Sequence, residues 1–242
     1  MVIRSINMAA LCLTTTMQDV VLSWSGGKDS TLALWELSRG PNTVVELLTT
    51  ISASTGRSNM HGIRRDLLQA QAAALGVPIT ILELPDDPSN EEYAAIMNAQ
   101  MDRYSDRGID AVAFGDIYLD DVRQFREDRL EDVSIQSLWP IWGRDTDGLI
   151  EMFLDAGFRA VIVAARADHF DESVVGSELD DAFLASLPDG VDPAGENGEF
   201  HTFVVDGPLF DETVAFARGT RVTRDVGLDT TMHYCDLVLT AS

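Results

Sequence analysis

The sequence predicts an α/β protein with a doubly wound parallel sheet, followed by a second, smaller α/β domain. Short apolar runs at 20–25, 44–52, 79–84 and 111–115 alternate with helical stretches. Strands that are almost wholly apolar are typical of a parallel sheet buried on both faces, because its crossover connections are helices. The composition agrees, since 45% hydrophobic and 24% charged residues exclude a disordered, collagenous or coiled-coil chain.

The helices and the later strands are predicted from apolar spacing and stop signals. The stretch 61–75 has a helical spacing of apolar residues and ends at Gly76, shortly before Pro78, which is a strong helix stop. The other predicted helices span 29–39, 91–107 and 147–156. Beyond residue 135 we predict strands at 137–142, 160–165, 200–205, 213–222 and 234–240.

These elements suggest three parts of the chain. We expect residues 1–16 to be a disordered extension, or the result of a misplaced start codon before Met17. Residues 17–135 form the first α/β domain, and residues 136–242 form the second. The change of pattern near residue 135 sets this boundary to within about ten residues.

Charge and cysteine usage exclude several classes of protein. The formal charge of −23 repels nucleic acid and anionic lipid, so a nucleic-acid-binding protein is disfavoured. Cys12 and Cys235 lie far apart and give no zinc-like spacing, which favours a reducing cytoplasm. No apolar run approaches the roughly 20 residues of a spanning helix, and the N-terminal stretch does not resemble a secretory signal. A homo-oligomer is compatible with the sequence.

Lysine is almost absent from the chain. Of its seventeen basic residues sixteen are arginine, and Lys28 is the one lysine. Adaptation to high salt, where the Debye length falls to about 3 Å at 1 M, and a GC-rich genome explain this composition equally well. Under either explanation lysine is disfavoured in this chain, so the position at which the one lysine, Lys28, is retained points to a candidate functional site.

The segment SGGKDS at residues 25–30 lies between the first predicted strand and the first predicted helix. Gly26 and Gly27 allow backbone N–H groups to turn toward an anion, and the following helix directs its positive end to the same point. Ser25 and Ser30 add hydroxyl donors, and Lys28 adds a full charge. The segment fits neither the Walker A nor the G-x-G-x-x-G pattern, and it predicts a phosphate site.

The alternative is a tight strand-to-helix turn in which a serine or aspartate caps the helix without any ligand. Against it, the chain's one lysine is here, where composition predicts arginine. SGGKDS after a first strand resembles the signature of the PP-loop ATP pyrophosphatases. That resemblance implies cleavage of ATP between its α and β phosphates. Lys28 and Asp29 are then catalytic candidates, and Asp29 is also a candidate contact for Mg²⁺ or water.

Further motifs resemble the diphthine-ammonia ligase family over about residues 19–210, in matching order. They are 59–62 (NMHG), 114–117 (FGDI), 138–142 (LWPIW) and 195–202 (GENGEFHT), which runs into 205–208 (VDGP). The chain lacks the CxxC cysteines and basic additions of tRNA-thiolating relatives. It also has no room for the glutaminase domain of GMP and asparagine synthetases.

The resemblance implies a reaction and its partners. A PP-loop domain binds Mg²⁺-ATP and activates a carboxylate as an acyl-adenylate, and ammonia or ammonium captures it as an amide. The implied acceptor is diphthine, a modified histidine of elongation factor 2, if the source is archaeal or eukaryotic. The segment HGIRRDLLQAQ and, in the form it takes here, the LWPIW run depart from the family at large and resemble a shorter, bacterial-looking subgroup, for which only the chemistry transfers.

The GENGEF motif supplies two acids, Glu196 and Glu199, on a Gly-rich turn. A surface turn before an edge strand explains the glycines but not the acids. Acids near a phosphate site are costly unless they bind Mg²⁺, ammonium or a cationic substrate, so we assign both a catalytic role on the acceptor side. We expect at most one of His201 and Thr202 to face the cleft, because side chains alternate along a strand.

The remaining candidates each have a structural alternative. Gly115 and Asp116 end the fourth predicted strand, where open α/β sheets bind their ligands; the alternative is that Asp116 caps the next helix. The family segment implies that His61 lines the adenine pocket, whereas a capping or partly buried structural histidine explains it slightly better.

Arginines recur every three residues on one predicted helix: Arg123, Arg126 and Arg129. Their acidic neighbours favour an ion-paired, solvated face over contacts with phosphate or substrate.

Two functions from different classes remain. The first is an ATP-dependent carboxylate-ammonia ligase that forms AMP. The second is an adenine-nucleotide-binding or hydrolysing protein of the same fold, with no elongation factor substrate.

Overall fold

The computed structural model describes residues 17–58, 60–130, 133–227 and 229–240. The predicted extension, 1–16, lies outside these residues, as does Cys12. The helices are α1 (Lys28–Ser38), α2 (Arg65–Ala74), α3 (Asn90–Asp106), α4 (Asp120–Asp128), α5 (Thr146–Asp155) and α6 (Asp181–Ala185). The strands are β1 (Asp19–Ser23), β2 (Thr43–Ser52), β3 (Ile79–Leu84), β4 (Ala111–Ala113), β5 (Gln136–Leu138), β6 (Arg159–Arg166), β7 (Phe200–Asp206), β8 (Phe216–Asp225) and β9 (Thr231–Leu239).

The first sheet is parallel, and its strand order is β3-β2-β1-β4-β5. Successive side chains of β1 pack on opposite faces of the sheet, since Val20 and Leu22 lie in one apolar core and Val21 lies in another. Helices α1 and α2 contribute to the first core and α3 contributes to the second. This arrangement confirms the predicted doubly wound α/β fold.

The strand order places ligands at a defined edge of this sheet. The chain runs outward in one direction from β1 to β3 and in the other from β4 to β5, so the topological switch lies between β1 and β4. The predicted phosphate loop follows β1, and Gly115 and Asp116 follow β4. Both segments therefore lie beside the crevice in which doubly wound sheets bind their ligands.

The second sheet is antiparallel, with strand order β7-β6-β9-β8. Its inner strand β6 is buried along Ala160–Ala165, as expected for its continuous apolar sequence. Phe153 on α5 packs in the same core as the inner residues of β6 and β7. The β8 edge is largely exposed.

Two element boundaries differ from the prediction by four residues, more than any other. The helix expected at 61–75 begins only at Arg65, because Gly62 is left-handed (φ 67°) and a backbone bridge joins Arg57 to Arg64. The strand expected at 137–142 ends at Leu138, since Pro140 has no N–H to continue the ladder. β5 pairs with β4 in the first sheet.

Among the described residues, no helix is both long enough and apolar enough to cross a membrane.

Candidate active site

The phosphate loop is built by backbone geometry and by its own serines. Gly26 has φ 80°, and a Cβ there would lie 2.9 Å from the Gln71 side chain. The Ser25 Oγ accepts a hydrogen bond from the Gly27 N–H at 3.2 Å, and the Ser30 hydroxyl donates to the Gly27 carbonyl at 3.0 Å. Gly27 is the N-cap of α1 and no side chain caps the helix. The alternative of a serine or aspartate cap is therefore wrong.

Two elements far away in the sequence hold this loop. The Gln71 side-chain amide donates to the Gly26 carbonyl at 3.0 Å and to the Val204 carbonyl at 2.6 Å. The Gln71 Oε1 accepts from the Trp24 indole at 2.8 Å. On β7, the Thr202 Oγ1 accepts from the Lys28 N–H at 3.1 Å. These buried bonds fix the loop between the two sheets. Sequence reasoning missed Gln71, and it considered Thr202 for the cleft without predicting its contact with the loop.

Lys28 and Asp29 form a partly buried ion pair at the first turn of α1. Lys28 is 2% exposed, and its Nζ lies 2.8 Å from the Asp29 Oδ2 and 5.5 Å from the centroid of the Phe200 ring. Burial raises the pKa of the Asp29 carboxyl despite the opposing charge of Lys28. The Asp29 Oδ1 is buried and has no hydrogen-bond partner among the described residues. An orphaned carboxylate oxygen fits a cation ligand.

Gly115 and Asp116 meet α1 from β4. A Cβ at Gly115 would lie 3.0 Å from the backbone of both Asp29 and Ser30, so only glycine allows this approach. Asp116 does not cap α4, whose N-cap is Leu119. Its carboxylate instead pairs with the Arg126 guanidinium at 3.0 Å.

Two histidines meet in the cavity beside Lys28. The His61 and His201 rings contact each other edge to face, with centroids 4.5 Å apart. Burial, followed by the charge of Lys28, lowers the pKa of His201 to about 4. Burial, then His201 and Lys28, lower the pKa of His61 well below its usual range. Both shifts favour the neutral imidazole, which can donate a hydrogen bond from one ring nitrogen and accept one at the other.

The segment that carries His61 is tied to the second sheet. The Asp236 carboxylate on β9 accepts from Arg57 at 2.8 Å and from Arg64 at 2.6 Å. Hydrogen bonds from Arg64, then from Arg57, lower the pKa of Asp236 to about 2 against the opposing effect of burial. The Arg57 guanidinium also donates to the Gly62 carbonyl at 2.8 Å, which fixes the turn next to His61.

The two acids of the GENGEF turn have different environments. The Glu196 Oε1 accepts from the Ile117 N–H at 2.8 Å and from the Tyr118 N–H at 3.4 Å. Burial, and more weakly the nearby charge of Asp29, raise the pKa of Glu196 to about 7 although these hydrogen bonds oppose the rise. Glu199 is 3% exposed and accepts hydrogen bonds from within the turn.

The donors to the Glu199 Oε1 are the Asp192 N–H at 3.2 Å and the Asn197 amide at 3.0 Å. The Glu199 Oε2 is buried without a hydrogen-bond partner among the described residues.

One cavity of about 880 Å³ collects most of the predicted site residues: Ser25, Lys28, Asp29, Ser30, His61, Gly115, Asp116 and Glu196. Glu199 is absent from its lining, as are Gly26 and Gly27. His201 and Thr202 both line it, so the expectation that at most one of them would do so was wrong. The β6–β7 pairing is irregular at this point of the ladder, and a bulge redirects the side chains of neighbouring residues.

The fold, the Gly-rich loop with its buried lysine and the acidic turn opposite define a PP-loop protein. Residues 17–137 match the family described as Diphthamide synthase N-terminal domain, and residues 145–228 match Diphthamide synthase C-terminal domain. The chain belongs to the diphthine-ammonia ligase family.

Three curated relatives are named Diphthine--ammonia ligase. The protein from Danio rerio is 25% identical over 214 residues, which cover 78% of this chain and 83% of the relative. Those from Bos taurus and Homo sapiens are each 28% identical over 111 residues, which cover 44% of this chain and 42% of the relative. The longest of these alignments thus extends well beyond the phosphate loop.

Proposed function

We propose that this protein is an ATP-dependent carboxylate-ammonia ligase that acts through an acyl-adenylate. The acceptor named by its relatives is diphthine, and we place that side chain on elongation factor 2. The observation that carries the proposal is the single cavity between the phosphate loop, with buried Lys28, and the GENGEF turn, with Glu196. In this proposal the first sheet and its helices bind ATP, and the second sheet presents the acceptor side.

In the first step, an acceptor carboxylate oxygen forms a bond to the α phosphorus of ATP. The bond from that phosphorus to the oxygen bridging the α and β phosphates breaks, and pyrophosphate leaves. The N-terminus of α1 and the Lys28 Nζ offset the charge that develops on the phosphates. Gln71 and Thr202 contribute indirectly, because they hold the loop in its binding conformation before ATP arrives.

The donor set of the cavity fits one Mg²⁺ bound together with the triphosphate. Among the described residues no group of three metal-ligating side chains exists, whereas the Asp29 Oδ1 is buried and unpaired. Mg²⁺ commonly takes one or two protein carboxylates and completes its shell with phosphate and water. Bound there, it would neutralise charge on the phosphates.

In the second step, ammonia attacks the carbonyl carbon and AMP leaves with the electron pair of the broken C–O bond. Ammonium entering the cavity finds the Glu196 carboxylate, whose pKa of about 7 suits it to accept a proton near neutral pH. Glu196 takes the proton that converts ammonium to ammonia, and the second proton, which the nitrogen loses after its attack, passes to solvent water. Glu199 supports the turn by accepting hydrogen bonds within it. We include in the same proposal that Glu199 binds ammonium.

The decisive experiment incubates the protein with α-labelled ATP, ammonium and elongation factor 2 that carries diphthine. The expected products are AMP, pyrophosphate and the amide, and amide formation requires all three substrates. Elongation factor 2 without diphthine and a reaction without ammonium are the controls. ADP and phosphate in place of AMP and pyrophosphate would overturn the PP-loop chemistry and favour a nucleotide-hydrolysing protein.

A further inference from the structure

The three arginines of α4 and its C-cap have different partners. The Arg123 Nε donates to Glu127 at 2.8 Å, and Arg126 pairs with Asp116 at 3.0 Å. Within the described part of the chain, Arg129 has no carboxylate within ion-pair distance. The interpretation of an ion-paired face thus fits two of these arginines and leaves the third without a counter-charge.

Aromatic rings fix the position of Arg129. Its guanidinium carbon lies 4.4 Å from the centroid of the Phe125 ring and 5.5 Å from that of Tyr93. Contacts with ring faces stabilise a guanidinium and restrict its rotation, while its N–H groups remain available for hydrogen bonds. The Arg129 Nε is buried, and no acceptor for it is found among the described residues.

Arg129 lines the same cavity as the phosphate loop. The other two cations of that cavity already have partners, since Lys28 pairs with Asp29 and Arg126 pairs with Asp116. A carboxylate that enters this cavity meets the acidic side chains of Asp29, Asp116 and Glu196 and needs a cation to hold it. Arg129 is the cavity cation without a carboxylate among the described residues.

We propose that Arg129 binds the carboxylate of the acceptor; this inference rests on the proposed function. A guanidinium and a carboxylate are both planar and can form two parallel hydrogen bonds. Arg129 would hold the carboxylate while one of its oxygens attacks ATP. The amide product carries no charge, so the same residue would bind product less tightly than substrate.

The test compares binding of elongation factor 2 carrying diphthine with elongation factor 2 carrying diphthamide, without ATP. We expect the wild-type protein to prefer the carboxylate form by about tenfold, in line with one charge-assisted hydrogen bond. The Arg129→Gln variant should bind both forms alike, with its Kd for ATP unchanged. Arg129→Lys keeps the charge without the planar guanidinium, so its preference for the carboxylate form should be intermediate. It replaces Arg129→Gln in the test if that variant fails to fold.

The matched control is Arg123→Gln on the same helix, whose side chain pairs with Glu127 and should leave the preference at its wild-type value. An unchanged preference in folded Arg129→Gln would overturn the assignment. A weaker Kd for ATP with the preference retained would also overturn it and assign Arg129 to the nucleotide. If the wild-type protein forms neither amide nor AMP, the proposed function fails. If the wild-type protein forms the amide and Arg129→Gln keeps the wild-type preference for the carboxylate form, only the assignment of Arg129 fails.

Discussion

The phosphate loop and the GENGEF turn face the same cavity but are stabilised in opposite ways. The loop is held by neutral, buried hydrogen bonds: Gln71 donates to the Gly26 carbonyl, and Thr202 accepts from the Lys28 N–H. In the turn, the carboxyl groups themselves accept the backbone hydrogen bonds, as Glu196 does from Ile117. The loop should therefore keep its shape over a wide pH range, whereas the turn should respond to pH near neutrality.

The difference matches what each region binds in the proposed reaction. The loop meets an invariant polyanion, and its preorganised amides need no rearrangement to bind it. The turn meets a group that gains or loses protons during the reaction, and a carboxyl group with a pKa of about 7 can exchange a proton with it.

Gln71→Leu should have the largest effect and would test whether neutral hydrogen bonds stabilise the loop. The change leaves the Trp24 N–H and two carbonyls unpaired, so we expect stability to fall by about 3 kcal/mol, or about 6 to 12 °C in Tm. Thermal unfolding followed by circular dichroism measures it. Gln69→Leu on the exposed side of the same helix is the control, and equal Tm values for both variants would contradict the comparison.

Lys28→Ala should lower ATP-dependent AMP formation by about 10- to 150-fold, which corresponds to a charge-assisted contact of about 1.5 to 3 kcal/mol. Lys28→Arg should not restore full activity, because a planar fork does not replace a compact ammonium in a tight loop. Steady-state kinetics and the Kd for ATP give the measurement, with exposed Arg159→Ala as a control. Wild-type rates in both Lys28 variants would remove this residue from the site.

Glu196→Gln would test how the stability of the protein depends on pH through the turn. A carboxyl group whose pKa rises on folding from 4.5 to about 7 contributes stability that is complete below the unfolded pKa and is lost as the pH rises through 7. The variant stays neutral, so its Tm should match the wild type near about pH 4 and exceed it near about pH 8. After discounting for solvent screening we expect about 1 kcal/mol, or about 2 to 4 °C.

The same variant should bind ATP with nearly wild-type affinity and fail to form the amide, because the lost interaction belongs to the second substrate. Lys28→Ala is the comparison that should weaken ATP binding instead. If the difference in Tm between Glu196→Gln and the wild type does not change with pH, the stability of the turn does not depend on titration of Glu196. The turn and the phosphate loop would then be stabilised in the same way.

Thr202→Val should have the smallest effect. It preserves shape but removes the acceptor of the Lys28 N–H, and we expect a loss of about 1 kcal/mol in stability. Chemical denaturation can resolve a difference of this size, and exposed Thr231→Val is the control. If Thr202→Val is as stable as the control, the contact from β7 does not hold the loop.

Local sequence patterns were sufficient for most of the fold. The apolar strands and the glycine and proline stops led to the correct sheet, and SGGKDS lies directly after its first predicted strand, as expected. Errors arose where distant residues decide the conformation. The turn around His61 was predicted to be helical because its spacing fits a helix, but Asp236, more than 170 residues later, pairs with arginines on both sides of it.

The site was predictable where chemistry concentrates in a short motif, and not where a single residue acts across the fold. In the sequence, Gln71 looks like an ordinary polar residue of an alanine-rich helix. Nothing in the neighbouring residues indicates that it is buried between two sheets. Arg129 shares its spacing and acidic neighbours with Arg123 and Arg126. Only the folded chain shows that the first two carry ion pairs and the third contacts Phe125 and Tyr93.

The solitary lysine makes the chain a natural single-site reporter. Apart from the α-amino group, its only amine is the Lys28 Nζ, which is buried in the cavity. Amine-reactive reagents should therefore modify one internal position, slowly, and bound ATP should protect it. Mass spectrometry of the one peptide that contains Lys28 would then measure how much of the phosphate loop is occupied, without an engineered label.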